Sequence, residues 1–242
     1  MIIAYWLKEG RRDKVKQKRR IVIFIIAALL LLTAAGCGSD KELWEVLEEQ
    51  QYNSYKPLLD HMVEKYGDMF EMNVYGDVYC TEPEYHNWRI RVAGDNVDAT
   101  PIDNFSIRLK RDDIELFIQE IAEPILGECK VYVYDGFPSK LDGNAEPEDF
   151  LTYKQGLVCC CIYVPYSEDY QIQGDAFMTA IIDCNYKMKF LDILYADETR
   201  YKQVDRDGIT PGHFPKGYKF RLDARFINST GKFSFKWEEA EE

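Results

Sequence analysis

Histidine is nearly missing from this chain: three occur in 242 residues, His61, His86 and His213. That scarcity leaves little material for imidazole-based catalysis or a histidine-rich metal centre. The sequence also lacks G-x-S-x-G, a phosphate-binding loop, G-x-G-x-x-G, H-E-x-x-H and any C-x-x-C pair. These absences remove the serine-hydrolase elbow, nucleotide and dinucleotide binding, the zincin helix and a four-thiolate zinc site as motif-based readings. No basic run follows Arg20. Of 30 basic and 42 acidic residues, eight and two fall in the first 36, leaving 22 and 40 beyond them. A formal charge of −18 on residues 37–242 repels phosphate backbones and anionic headgroups, which excludes nucleic acid as a partner.

What the chain does have is a segment that decides its address. Lys8, Arg11, Arg12, Lys14, Lys16, Lys18, Arg19 and Arg20 precede an unbroken apolar run from Ile21 to Leu32. Thr33, Ala34, Ala35 and Gly36 follow, then a single cysteine, Cys37. A basic head, an apolar middle and a small-residue exit are the three parts of an export signal. Ala34-Ala35-Gly36-Cys37 resembles the lipobox of bacterial lipoproteins, with Ala34 where that family usually carries Leu. The resemblance implies cleavage between Gly36 and Cys37 and lipidation of the Cys37 thiol, which becomes the first residue of the mature protein. The alternative is an uncleaved span. Residues 21–36 number 16, just short of the ~17–25 a spanning helix needs. Either way the basic head stays in the cytoplasm and the bulk of the chain lies on the extracytoplasmic face.

The expected organisation is a signal peptide over 1–36, a lipidated cysteine with an N-terminal helical segment over 37–67, and one α+β domain over 68–242. Ser39 and Glu42 form an S-x-x-E capping box ahead of Leu43, Trp44, Val46 and Leu47. Pro57 suggests a break before a second helical stretch carrying Leu58, Leu59, Met62, Val63 and Tyr66, with Gly67 as its stop. Met62–Phe70 is similar to a helix-then-strand segment of small exported lipoproteins of unknown function, a likeness that implies no activity.

Phe70–Tyr79, Trp88–Ala93 and Asn104–Lys110 read as strands, and Ile114, Phe117, Ile118, Ile121 and Ala122 as one helical face ending near Pro124 and Gly127. Cys129–Tyr134, Leu157–Val164 and Phe190–Tyr195 read as strands, with Phe177, Ala180, Ile181 and Cys184 on a helix between the last two. Two successive β-α-β passes suggest a mixed or antiparallel sheet with helices on one face, the split ferredoxin-like plan. Tyr218–Ile227 and Lys232–Trp237, joined by Asn228-Ser-Thr-Gly231, read as a closing hairpin.

Cys80, Cys129, Cys159, Cys160, Cys161 and Cys184 leave three readings open: small buried hydrophobes, at least one disulfide, or a metal site. In a strand, Cys159 and Cys161 face one side and Cys160 the other. His61 and Glu64 share a helix face that could hold an ion only with help from His86 or Cys80. Asp205-Arg-Asp-Gly208 and Asp142-Gly-Asn-Ala-Glu146 each miss the positions a calcium loop requires, so both read as turns. No catalytic residues, cofactor or metal are assigned. The sequence is therefore read as a membrane-anchored, non-enzymatic domain that binds a protein or a cell-envelope component. A single-span sensor and an exported enzyme with scattered site residues are the alternatives.

Overall fold

The computed structural model describes residues 40–73, 75–85, 88–94, 100–206, 209 and 218–240. Gly36, Cys37, Ser39, His86, His213 and the Asp207-Gly208 pair lie outside them. Two compact units are distinguished, Met1–Gln50 and Gln51–Glu242. Of the first, the described residues hold only Asp40–Gln50, the beginning of helix α1 (Asp40–Tyr66). No helix among the described residues is long and apolar enough to cross a membrane.

Helix α1 runs through Pro57 without the expected break. A proline removes its own N–H and crowds the carbonyl four residues back. Pro57 lies on the exposed side of the helix, and Met62, with no exposed surface, anchors the turns that follow. Gly67 does stop the helix: it adopts φ +95° and its N–H reaches the Val63 carbonyl at 2.8 Å.

The stretch expected as one strand from Phe70 is a tight hairpin, β1 (Phe70–Met72) against β2 (Val78–Cys80). Asn73 turns it, its side-chain oxygen accepting from the Tyr75 and Asp77 amides, with Gly76 at φ +86°. The Trp88–Ala93 expectation shrinks to β3 (Val92–Gly94), which pairs with β4 (Pro101–Asp103). Asn104–Lys110 is not a strand but helix α2 (Phe105–Leu109). The Asp103 carboxylate accepts the Phe105 amide at 2.9 Å and starts the helical turn that the alternation of apolar residues conceals.

Helix α3 (Arg111–Leu126) matches the expected face, and Gly127 follows it at φ +79°. Lys110 stands at its N-cap, and Asp112 and Asp113 sit in its first turn. Then come β5 (Lys130–Gly136), α4 (Pro147–Thr152), β6 (Val158–Pro165), α5 (Tyr170–Asp183), β7 (Phe190–Ala196), α6 (Glu198–Gln203), β8 (Tyr218–Ile227) and β9 (Lys232–Glu239). The fold is α+β. Strands β5 to β9 form one mixed sheet in chain order, antiparallel except for β6 and β7. That parallel pair is joined by α5, a β-α-β unit. The first of the two expected passes is absent because its opening strand is α2.

The sheet is covered unequally. On one side Val131, Val133, Val158, Cys160, Ile162, Leu191, Ile193, Leu222 and Ala224 pack against Ile114, Ile118 and Ala122 of α3, Phe150 and Leu151 of α4, and Phe177 and Ile181 of α5. On the other, Cys161, Tyr163, Leu194 and Ala196 lie beneath Tyr201, Val204 and Ile209. Strand β6 is buried on both faces, which explains its unbroken apolar run. All six described cysteines are free thiols, five of them buried. Cys184, expected on the apolar face of its helix, is instead an exposed C-cap residue of α5.

Ile118 has no exposed surface and faces the sheet from the middle of α3. Ile118→Asp is expected to lower unfolding free energy by at least about 3 kcal/mol, because it buries an unpaired charge. Urea titration measures the loss, and an unchanged midpoint would show that this face does not carry the core.

Candidate functional site

Among the described residues of the second unit, three gatherings of charged side chains bear on function. The first centres on Asp103, at the end of β4 and without exposed surface. One oxygen accepts from His61 Nε2 at 2.9 Å and Lys65 Nζ at 2.8 Å. The other accepts from Tyr66 Oη at 2.8 Å and from the Phe105 amide. Burial by itself would raise the Asp103 pKa, but the hydrogen bonds from Lys65, His61 and Tyr66 outweigh it and hold the carboxyl below its usual value. The Tyr66 phenol is pushed up by its burial and by the Asp103 charge. Every lone pair of Asp103 that these donors reach is engaged, so the cluster locks structure and leaves no free base.

The second place is the side of the sheet opposite α3, α4 and α5. Asp192 interrupts the apolar strand β7 with 2% of its surface exposed, and its register partner on β8 is Asp223, exposed to 4%. Arg221 grips Asp192 Oδ1 through Nε at 2.8 Å and Nη2 at 2.6 Å, and reaches Glu238 Oε2 at 3.4 Å. Arg225 holds Asp223 through Nε at 3.2 Å and Nη2 at 3.0 Å. Tyr134 Oη donates to Asp192 Oδ2 at 3.4 Å. Burial pushes the Asp192 pKa up to about 6, with the Asp223 charge adding and Arg221 opposing. Cys161, beside Asp192 in register, is raised well above the ordinary thiol value by burial and stays protonated. The arrangement is a ladder of fixed ion pairs across β7, β8 and β9.

The third is a surface hollow of about 490 Å³ between α3 and the start of α4. Leu116, 59% exposed, and Phe117 form its apolar floor. Asp113, Glu120, Glu146 and Glu148 line it, against the single cation Lys110, which already pairs with Asp113 at 3.3 Å. An apolar floor with an acidic rim accepts a cationic, partly apolar group, and an exposed leucine there is the kind of anchor point that contact surfaces use.

The residues weighed in the sequence scatter. His61 turns to Asp103, not to Glu64, and Cys80 lies buried in another cluster beside Phe70 and Met72. Among the described residues no group of three or more His, Cys, Asp or Glu could hold a metal ion. The Asp142 carboxylate accepts the Asn144 amide at 2.8 Å, and Glu146 caps α4 in a capping box with Asp149, so that loop is a turn. Arg206 pairs with Asp112 at 2.7 Å and with the buried Glu115. The signal for Asp192 was present in the sequence as a lone charge inside Phe-Leu-Asp-Ile-Leu-Tyr. Asp103 gave no such signal, since its partners lie about forty residues away.

No family model matches this chain, and no curated protein matches it. Among solved structures, a crystal structure of a DUF5037 family protein from Ruminococcus gnavus is similar over 74% of this chain and 93% of that one. The identity is 12% and the TM-score 0.39.

Replacing Asp103 by Asn leaves Lys65 and His61 facing a neutral amide in a buried setting. Asp103→Asn is expected to cost about 3–5 kcal/mol at neutral pH. A carboxyl whose pKa is lowered by folding contributes stability that is present above its unfolded value and lost as pH falls through the folded one. The wild type should therefore lose stability below the ordinary aspartate value of 3.8, and Asp103→Asn should show a shallower acid limb. Denaturant titrations across acidic pH measure both, and parallel limbs would contradict the assignment.

Proposed function

We propose that this protein is a lipid-anchored domain on the extracytoplasmic face of a bacterial membrane, acting by binding rather than catalysis. The anchor reading rests on Arg19-Arg20, the apolar run from Ile21 and the Ala34–Cys37 exit, with Gly36–Cys37 as the cleavage point and Cys37 as the lipidated residue. A lipid chain on Cys37 would tether the domain through an anchor that spans nothing. The binding reading is supported by the hollow between α3 and α4, where the exposed Leu116 and the half-buried Phe117 sit within an acidic rim. Its partner is a protein or cell-envelope component that presents cationic and apolar groups together, which also suits the charge of −18 beyond residue 36. The buried carboxylates support the same reading, since Asp103, Asp192 and Asp223 are each held by cations of the fold itself.

Two measurements test this. Mass spectrometry of the membrane fraction should find a diacylglyceryl adduct on Cys37, and Cys37→Ser should abolish it and leave an unprocessed or shed chain. A Cys37→Ser protein that is processed and retained like the wild type refutes lipidation, and an intact N-terminus on the wild type means a span. Leu116→Glu, on an exposed position, should keep the wild-type melting temperature yet lose the partner that the anchored wild type co-purifies from detergent. Identical partners for both would remove the hollow from the account.

A further inference from the structure

The two edges of the main sheet are treated differently. Along β5 the outer backbone groups are met from within the fold. The Val133 amide donates to the Glu115 carboxylate at 2.8 Å, and the Gly136 carbonyl accepts from Arg91 at 2.7 Å and Asn104 at 3.1 Å. A register shift between Val133 and Asp135 further disrupts that edge. Strand β9 is the opposite edge, and among the described residues no hydrogen bond reaches its outer side. A regular eight-residue strand with an open edge is a template for another strand.

The backbone parity of β9 follows from its neighbours. The Phe226 amide points towards β7, donating to the Lys189 carbonyl at 3.3 Å, so Ile227, Arg225, Asp223 and Arg221 turn their backbone groups to β9. Their register partners Lys232, Ser234, Lys236 and Glu238 answer them, and the Ala240 amide continues the series to Lys219 at 2.9 Å. Phe233, Phe235, Trp237 and Glu239 therefore direct their N–H and C=O groups outward. On the side-chain level Phe233 and Trp237 are half-buried against the core, whereas Phe235 is 45% exposed.

We propose that β9 pairs antiparallel with β9 of a second copy of this chain, about a twofold axis at Phe235, making one continuous sheet of two subunits. The segment is self-complementary in that register. Phe235 meets Phe235, and Phe233 meets Trp237, which are the residues whose backbone groups point outward, so the hydrogen-bonding pairs and the aromatic pairs coincide. On the opposite face Lys232 meets Glu238 twice, once on each side of the axis, and Ser234 meets Lys236. Glu238 also touches Arg221 and Lys236 of its own subunit, and the incoming Lys232 would join them. A twofold contact of this kind closes on itself and leaves no further edge for growth, because β5 is shielded.

The test uses sedimentation equilibrium of the full chain in density-matched mild detergent. The wild type should show a monomer–dimer equilibrium. Lys232→Glu puts like charges opposite Glu238 at both ends of the pairing, and Glu238→Lys does the same against Lys232, so each variant alone should dimerise roughly tenfold more weakly or worse. Mixed in equal amounts, the two variants should recover dimers, because each new charge then faces its opposite. Phe235→Lys, at the exposed centre, should dissociate the dimer without lowering the melting temperature. A wild type that stays monomeric, single variants that associate as the wild type does, or a mixture that stays monomeric would each overturn the pairing.

Discussion

A carboxylate stripped of water is tolerated inside a fold only where donors replace what it has lost. Asp103 is such a group, and the second unit is assembled around meeting it. His61, Lys65 and Tyr66 reach it from α1, and the Phe105 amide reaches it from the first turn of α2. The next residue, Asn104, is equally buried and bonds the Arg89 carbonyl, the Arg91 amide and the Gly136 carbonyl. Arg91 in turn pairs with Asp135 on β5. Two consecutive side chains thus join the later turns of α1, the β3–β4 hairpin and α2 to the edge of the main sheet. Hydrophobic contact adds bulk to this junction, with Phe105 ringed by Tyr66, Phe70 and Tyr85 at centroid distances of 5.0 to 5.2 Å for its closest pairs. The polar bonds fix the register in which that contact occurs.

Apolar patterning made the sheet legible. The closing hairpin was read from its alternation and its Asn-Ser-Thr-Gly turn, and β8 and β9 occupy the expected residues with β9 extending to Glu239. The three consecutive cysteines divide as a strand requires, Cys160 to the helix-covered side and Cys161 to the other. Patterning failed where a polar side chain overruled it. Phe105-Ser-Ile-Arg-Leu alternates like a strand, yet the Asp103 carboxylate starts a helix there. Pro57 reads as a break, yet the buried Met62 and the bonds of His61, Lys65 and Tyr66 keep the turns after it in place. The hollow beside Leu116 was hidden for a different reason: its two walls are about thirty residues apart, and only the folded chain brings Glu146–Glu148 beside α3.

The charge of the chain is distributed with purpose by these contacts. Acids in the interior are matched by cations of the fold, Asp192 by Arg221, Glu115 by Arg206 and Asp223 by Arg225 on its own strand. At the surface hollow Asp113 pairs with Lys110, and among the described residues Glu120, Glu146 and Glu148 have no ion pair, so their field projects into solvent. The same chain therefore uses carboxylates in two ways, as internal fasteners where they are paired and as an outward attraction where they are not.

The distribution of thiols gives the molecule a built-in reporter of its own breathing. Burial raises the pKa of Cys129 to about 12 and moves Cys80, Cys159, Cys160 and Cys161 upward as well, so none offers a thiolate while packed. Cys184 alone among the described cysteines stands in solvent. An alkylating reagent therefore marks Cys184 at once, and the triplet on β6 only when the sheet's centre opens. The lag between the two counts excursions of the native ensemble, with no cysteine engineered into the chain.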